Sequence, residues 1–154
     1  MNSEQSIDAI NALIEINNDR IAGYETASNE TQETDLKALF ADCIQTSRKC
    51  RAELVSEVHS MGGTPTEGTK TTGKIYRAWM DFKAMVTGND RKAILNSCEY
   101  GEDVAIEAYE DVLNNNTEDI SNAHHALLSE QLASIRADHD KVKSLRDMLV
   151  LVEH

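Results

Sequence analysis

One long stretch decides the fold of this chain: residues 122–152, which read NAHHALLSEQLASIRADHDKVKSLRDMLVLV. Its apolar residues recur at steps of three, four and seven, the spacing of one face of an α-helix. His139 fills the gap of seven. The stretch therefore predicts one long bundle helix that carries a histidine in its buried seam. The apolar stripe consists of Leu128, Leu132, Ile135, Val142, Leu145, Leu149 and Val152.

A second long segment has an ionisable residue in the same kind of position. Glu102 lies within the apolar stripe formed by Ile94, Cys98, Ala105, Tyr109 and Val112. An ionisable group in a buried seam costs free energy unless it is paired, hydrogen-bonded or bound to a metal ion. Function is therefore expected at Glu102 and His139.

Composition favours a single all-α domain over residues 1–154. The chain has only one proline and seven glycines, and it lacks the Asn-Gly and Asp-Gly pairs of tight hairpins. Its net charge of −12 repels phosphate backbones and anionic lipid headgroups. We therefore expect neither nucleic acid nor a membrane as a partner.

The chain ends and the cysteines bear on location. Residues 1–8 contain acids and lack the basic segment followed by an apolar run that is typical of a signal peptide. No run in the chain approaches the roughly 18 apolar residues of a membrane span. The three cysteines are odd in number and widely spaced, which suits a reducing compartment. These features together predict a cytoplasmic protein.

Four long helices are predicted, at about 6–28, 31–61, 90–114 and 122–152. Short connections make the first two and the last two antiparallel hairpins. The 28 residues of 62–89 are long enough to return along the bundle, and Ile75, Trp79, Phe82 and Val86 predict a short helix within them. A single long crossover between two hairpins is the ferritin-like four-helix bundle. The alternative for this segment is an unstructured linker.

Di-iron bundles of this kind need two Glu-x-x-His pairs, because that spacing directs both side chains at one ion. No histidine of this chain has a glutamate three residues before it. An intact di-iron centre is therefore not expected, nor is turnover as an oxidase. A reduced site stays open, in which Glu102 and His139 hold a single Fe, Mn or Zn ion. The alternative is that the buried polar groups satisfy one another by hydrogen bonds.

Counting residues from the predicted helix ends places Asn17 and Cys43 near mid-bundle, at about the height of Glu102 and His139. The predicted buried polar layer consists of Asn17, Tyr24 and Cys43.

Three segments resemble an uncharacterised bacterial family of ferritin-like four-helix-bundle proteins, about 150 residues long and classed as a domain of unknown function. They are LIEINNDRIAGYE at 13–25, TGNDRKAIL at 87–95 and CEYGED at 98–103, and ADHD at 137–140 fits as well. The resemblance implies the bundle fold and transfers no agreed activity. It implies that Asn17, Tyr24, Glu102 and His139 are typical positions of the family pattern.

The last helical turns point to association. Residues 148–152, MLVLV, are apolar all round the helix, and an exposed patch of that kind tends to mark an interface. We expect a homodimer or a docked partner helix there, so that the protein serves as a non-catalytic binding module, by family analogy in a stress response. The alternative for the tail is that it packs on the crossover helix of its own chain. The alternative for the function is a degenerate metal-binding oxidoreductase.

Overall fold

Four long α-helices account for the regular structure in the part of the chain that the structure describes. The computed structural model describes residues 3–67, 91–115 and 121–152, and every regular element in these ranges is helical. Helix α1 spans Ser3–Glu30, α2 spans Thr34–Ser60, α3 spans Arg91–Asn115 and α4 spans Asn122–Val152. These bounds lie close to those predicted from periodicity, so the all-α helical bundle is confirmed.

The helix ends follow from local chemistry. Helix α2 stops before Gly62, whose φ of +78° lies in the left-handed region that glycine adopts without a steric penalty. The amide of Gly63 then donates to the carbonyl of Val58 at 2.9 Å. At the start of α4, the hydroxyl of Ser121 accepts a hydrogen bond from the amide of His124 at 3.1 Å, as N-capping residues do.

The four helices form a square in cross-section. Helix α1 packs against α2 and α3, and α4 packs against α3 and α2. Among the described residues, α1 and α4 make no close backbone approach, and neither do α2 and α3, so these pairs are the diagonals. The interface between α2 and α4 is the least extensive of the four sides.

Contacts between neighbouring helices show how they run. Along α1 and α3, Asn17 meets Tyr109 while Arg20 meets Glu102, so the two helices are antiparallel. Helices α2 and α4 are antiparallel as well, because Glu57 meets His124 and Glu53 meets Gln131. Since the turn at 31–33 also makes α2 antiparallel to α1, the diagonal helices α2 and α3 run parallel.

Parallel diagonal helices place the two ends of the long connection at opposite ends of the bundle. After α2, the amide of Thr66 donates to the side chain of Asn11, near the start of α1. Helix α3 begins at the other end, where Arg91 forms ion pairs with Glu33 and Asp35 at the α1–α2 turn. Helix α2, at 27 residues, is about 40 Å long, so the described ends of the connection lie roughly one helix length apart. The short helix predicted at 75–86 lies outside the described residues.

Aliphatic side chains fill the interior between the helices. Most residues of the stripes predicted for α3 and α4 are buried, whereas Leu145 is half-buried. The buried ones are Ile94, Cys98, Ala105, Tyr109, Val112, Leu128, Leu132, Ile135 and Val142. None of the four described helices has a stretch long and apolar enough to cross a membrane. Among the residues whose burial the structure describes, ten polar or charged ones are buried with the apolar ones, and these decide where the candidate site lies.

Candidate functional site

A single guanidinium joins all four helices at the centre of the bundle. Arg20 of α1 is 1% exposed. Its Nη1 donates to the hydroxyl of Ser47 on α2, and its Nη2 donates to Oε1 of Glu102 on α3. The same Nη2 lies 3.5 Å from Oδ2 of Asp138 on α4. One side chain on α1 therefore contacts each of the other three helices.

Tyr24 completes this cluster one turn further along α1. Its hydroxyl donates to the same Oε1 of Glu102 that accepts from Arg20. The guanidinium carbon of Arg20 lies 5.6 Å from the centre of the Tyr24 ring, within the range of a cation–π interaction. The ring also packs at 5.6 Å against Phe40 of α2. Tyr24 thus supports the ion pair through both its hydroxyl and its ring.

Burial and charge act against each other on these groups. Burial disfavours the charged form of Arg20, but the adjacent Glu102, Tyr24 and Cys43 together outweigh this effect and hold the pKa of Arg20 above its ordinary value. For Glu102 burial is the larger influence, and it raises the pKa of the carboxyl although Arg20 and Tyr24 favour the carboxylate. Burial likewise raises the pKa of Tyr24, which keeps the phenol protonated as a donor.

The cluster is not fully satisfied. Within the described part of the chain, Oε2 of Glu102 and Nε of Arg20 are buried and have no hydrogen-bond partner. A buried polar atom without a partner costs about 1–3 kcal/mol. The cluster therefore holds the helices in one arrangement at a cost that an apolar core would avoid.

A second, neutral layer of hydrogen bonds lies beside the charged one and again runs through all four helices. The amide of Asn17 donates to the hydroxyl of Tyr109 at 2.9 Å, and that hydroxyl donates to Oε1 of Gln131 at 2.7 Å. The amide of Gln131 donates in turn to the carbonyl of Cys50 and to Glu53, each at 3.2 Å. A surface cleft of about 400 Å³ between α2 and α4 opens beside Gln131.

The thiols next to these layers are unreactive. Cys43, Cys50 and Cys98 are all free and buried. Burial raises the pKa of Cys50 to about 11, and it raises those of Cys43 and Cys98 further. Because the thiolate is the nucleophile and the metal ligand, these three cysteines act as small apolar side chains.

The predicted polar residues are distributed over several groups. Asn17, Tyr24 and Cys43 are buried, but Asn17 belongs to the neutral layer whereas Tyr24 belongs to the charged cluster. Glu102 is buried against Arg20, whereas His139 lies at the bundle margin with its Nε2 2.9 Å from Asp103. The structure therefore gives Glu102 and His139 different partners.

The expectation that His139 fills the seam of α4 needs correction, because Asp138 occupies that position. Asp138 is 4% exposed, whereas the side chain of His139 is 17% exposed. Both residues fit the helical spacing between Ile135 and Val142, since one is three residues after Ile135 and the other is four. The guanidinium of Arg20 on the facing helix pairs with the carboxylate, so the position facing the core is that of Asp138.

Sequence reasoning missed Arg20, Ser47 and Asp138. Arg20 and its neighbour Ile21 are both buried on α1, and an apolar pattern by itself identifies only Ile21. The signal was the spacing, since Arg20 falls three residues after Asn17 and four before Tyr24, both predicted as buried.

The chain matches the model of a known family. Residues 5–115, more than two thirds of the chain, match the model of a family described as a domain of unknown function, DUF2383. No curated protein matches the chain.

Replacing Arg20 tests whether the guanidinium holds the bundle together. We expect Arg20→Met to lower the free energy of unfolding by about 3–5 kcal/mol, because it leaves Glu102 buried without its counter-charge. We expect Arg20→Met and Glu102→Met together to cost less than the sum of the two single changes. Urea denaturation followed by circular dichroism measures all three variants.

The matched control is Arg136→Met, which removes an exposed ion pair with Glu110 on the same bundle. This control is expected to lose less than about 1 kcal/mol. Equal losses for Arg20→Met and Arg136→Met, or strictly additive losses at Arg20 and Glu102, would contradict a central role for the cluster.

The raised pKa of Glu102 predicts a pH dependence of stability. Above the ordinary value of 4.5, the unfolded chain releases the proton of Glu102 while the folded chain retains it. The stabilisation of the wild type relative to Glu102→Gln is therefore fully present below that value. It is lost as the pH rises through the pKa of Glu102 in the folded chain. Denaturation of both proteins between pH 4 and 8 measures the difference. A relative stability that rises with pH would show that pairing with Arg20 outweighs burial.

Proposed function

The chain belongs to the DUF2383 family, whose description names no activity, and from its geometry we propose a non-catalytic binding module built on a ferritin-like four-helix bundle. The observation that carries the proposal is the buried guanidinium of Arg20 at the centre of the core.

The ferritin-like part of the proposal rests on helix direction. Two antiparallel hairpins with parallel diagonal helices α2 and α3 need one connection that runs the length of the bundle. The contacts of Thr66 with Asn11 and of Arg91 with Glu33 place the ends of that connection at opposite ends of the bundle. These helix directions support the ferritin-like arrangement that we propose.

The non-catalytic part rests on what occupies the centre. Di-iron bundles direct glutamates and histidines inward from all four helices, and the metal ions neutralise the carboxylates. Here the guanidinium of Arg20 lies against two of the buried carboxylates, those of Glu102 and Asp138. Both positive charge and hydrogen-bond donors are thus supplied by the chain itself. This donor set does not fit a di-iron centre.

The alternative function is a degenerate metal oxidoreductase with a single Fe, Mn or Zn ion on Glu102 and His139. For such a site, Glu102 would exchange its hydrogen bonds with Arg20 and Tyr24 for a metal ion, and His139 would turn from Asp103 toward the core. The guanidinium of Arg20 would then stay buried without the carboxylate that balances its charge, which costs free energy. The contacts of these residues therefore favour the binding module.

The binding surface that we propose is the end of α4, at residues 148–152. Met148 is 58% exposed, one of two large apolar side chains that the described residues leave to solvent. The four residues after it are aliphatic and continue the helix to Val152. Because exposed apolar surface is stabilised by burial, we propose a second copy of this chain as the partner. The net charge of −12 makes nucleic acid an unfavourable partner.

Aerobic Fe(II) oxidation tests the non-catalytic assignment. We expect the protein to leave the rate of Fe(II) oxidation at that of buffer alone, because the core carboxylates are paired with Arg20. Absorbance of the ferric product, followed with an Fe(II) excess, measures the rate. Catalysed oxidation that Glu102→Gln abolishes would contradict the proposal and support the oxidoreductase.

Light scattering tests the binding surface. We expect the full chain to be a dimer at tens of micromolar, and a truncation after Asp147 to be a monomer. Met148→Glu is expected to weaken the dimer, whereas Ser144→Glu, at another exposed position of α4, serves as the matched control. A monomer at both lengths would remove the interface from the proposal.

A further inference from the structure

Three side chains with metal-binding chemistry meet on the outside of the α3–α4 pair. Glu99 and Asp103 lie four residues apart on α3, so both project from the same face of that helix. His139 reaches them from α4. One potential ligand atom from each residue, two carboxylate oxygens and one imidazole nitrogen, lies within 4.8 Å of the other two.

The distances suit a transition-metal ion with little rearrangement. Bonds of about 2.0–2.2 Å to nitrogen and oxygen place the ligand atoms of one metal ion roughly 3–3.5 Å apart. Nε2 of His139 and Oδ1 of Asp103 are already 2.9 Å apart. The carboxylate oxygen of Glu99 has to move at most about 1.5 Å toward the other two ligand atoms, and a change in the side-chain torsions of Glu99 achieves this.

The cluster also has an excess of negative charge that attracts a cation. Two carboxylates at this spacing repel each other, and the side chain of Arg146 forms an ion pair with Glu99. Arg146 also contacts its neighbour Asp147 at 3.0 Å, so its charge is shared. A divalent ion brings twice the charge of one guanidinium and coordinates both carboxylates at once.

We propose that Glu99, Asp103 and His139 bind one divalent transition-metal ion of the Zn²⁺ or Mn²⁺ type, and that Arg146 competes with this ion for Glu99. One imidazole and two carboxylates form a ligand set of intermediate softness, which suits these ions. The site differs from the Glu102 and His139 pair, because Glu102 stays bonded to Arg20. It goes beyond the binding module proposed above, and it needs neither a dimer nor a catalytic reaction.

Titration calorimetry with Zn²⁺ on the full chain, freed of metal by a chelator, tests the site. We expect one ion per chain, and an affinity that falls at least about tenfold in His139→Ala and in Asp103→Asn. The matched controls are His125→Ala on α4 and Asp111→Asn on α3, which remove an exposed histidine and an exposed acid from the same helices. Equal affinity losses in variants and controls, or no stoichiometric binding by the wild type, would overturn the proposal.

Two further variants separate this site from its alternatives. Arg146→Gln is expected to raise the Zn²⁺ affinity roughly twofold to fivefold. This factor corresponds to the free energy of one partly exposed ion pair, which the metal ion no longer has to break. Glu102→Gln is expected to leave the affinity unchanged. A loss of affinity in Glu102→Gln would move the site into the core and overturn the assignment, and a lower affinity in Arg146→Gln would contradict the competition.

Thermal unfolding provides a readout that also checks the fold of each variant. A metal ion that binds only the folded chain raises Tm, and here it would do so by linking α3 to α4. We expect Zn²⁺ to raise the Tm of the wild type and of His125→Ala, and not that of a folded His139→Ala. A similar rise in all three proteins would indicate binding elsewhere and contradict the proposal.

Discussion

The arrangement of the bundle depends on the burial of one positive charge. A guanidinium removed from water requires compensation, and Arg20 obtains it from Ser47, Glu102 and Asp138 on three different helices. Apolar side chains can repack when a helix slides or rotates, but a buried ion pair cannot be moved by one turn without losing its partner. The register of all four helices is thus tied to the position of this side chain.

The neutral layer depends on the same register. Tyr109 lies seven residues, or two helical turns, after Glu102 on α3, and Asn17 lies one turn before Arg20 on α1. Once Arg20 and Glu102 are aligned, the antiparallel helices bring Asn17 and Tyr109 to hydrogen-bond distance. The two polar layers therefore specify one packing of a core that is otherwise aliphatic. Because the polar groups of the two layers bind each other across helices, they fix how the helices are aligned.

Periodicity predicted the four helices well, because the apolar stripes are long and the breakers at Gly62 and Asn114 are strong. It predicted the candidate site less well. At a buried seam two adjacent positions often fit the helical spacing equally, as Asp138 and His139 do after Ile135. The sequence of α4 contains no information that separates them, because the choice is made by Arg20 on another helix. A linear pattern does not identify Arg20 either, because an arginine is rarely fully buried without a partner and the partners of Arg20 are 27 to 118 residues away in the chain.

The sequence by itself determined the helical class, the number and approximate bounds of the long helices, and the presence of buried ionisable groups such as Glu102. These properties depend on residues close together in the chain, which is why a linear pattern contains them. The tertiary structure decided which charged groups meet. It paired Glu102 with Arg20 and Tyr24, and it left His139 with Asp103 at the margin. Pairing energies depend on distances between helices and on the exclusion of water, and neither exists until the four helices pack together.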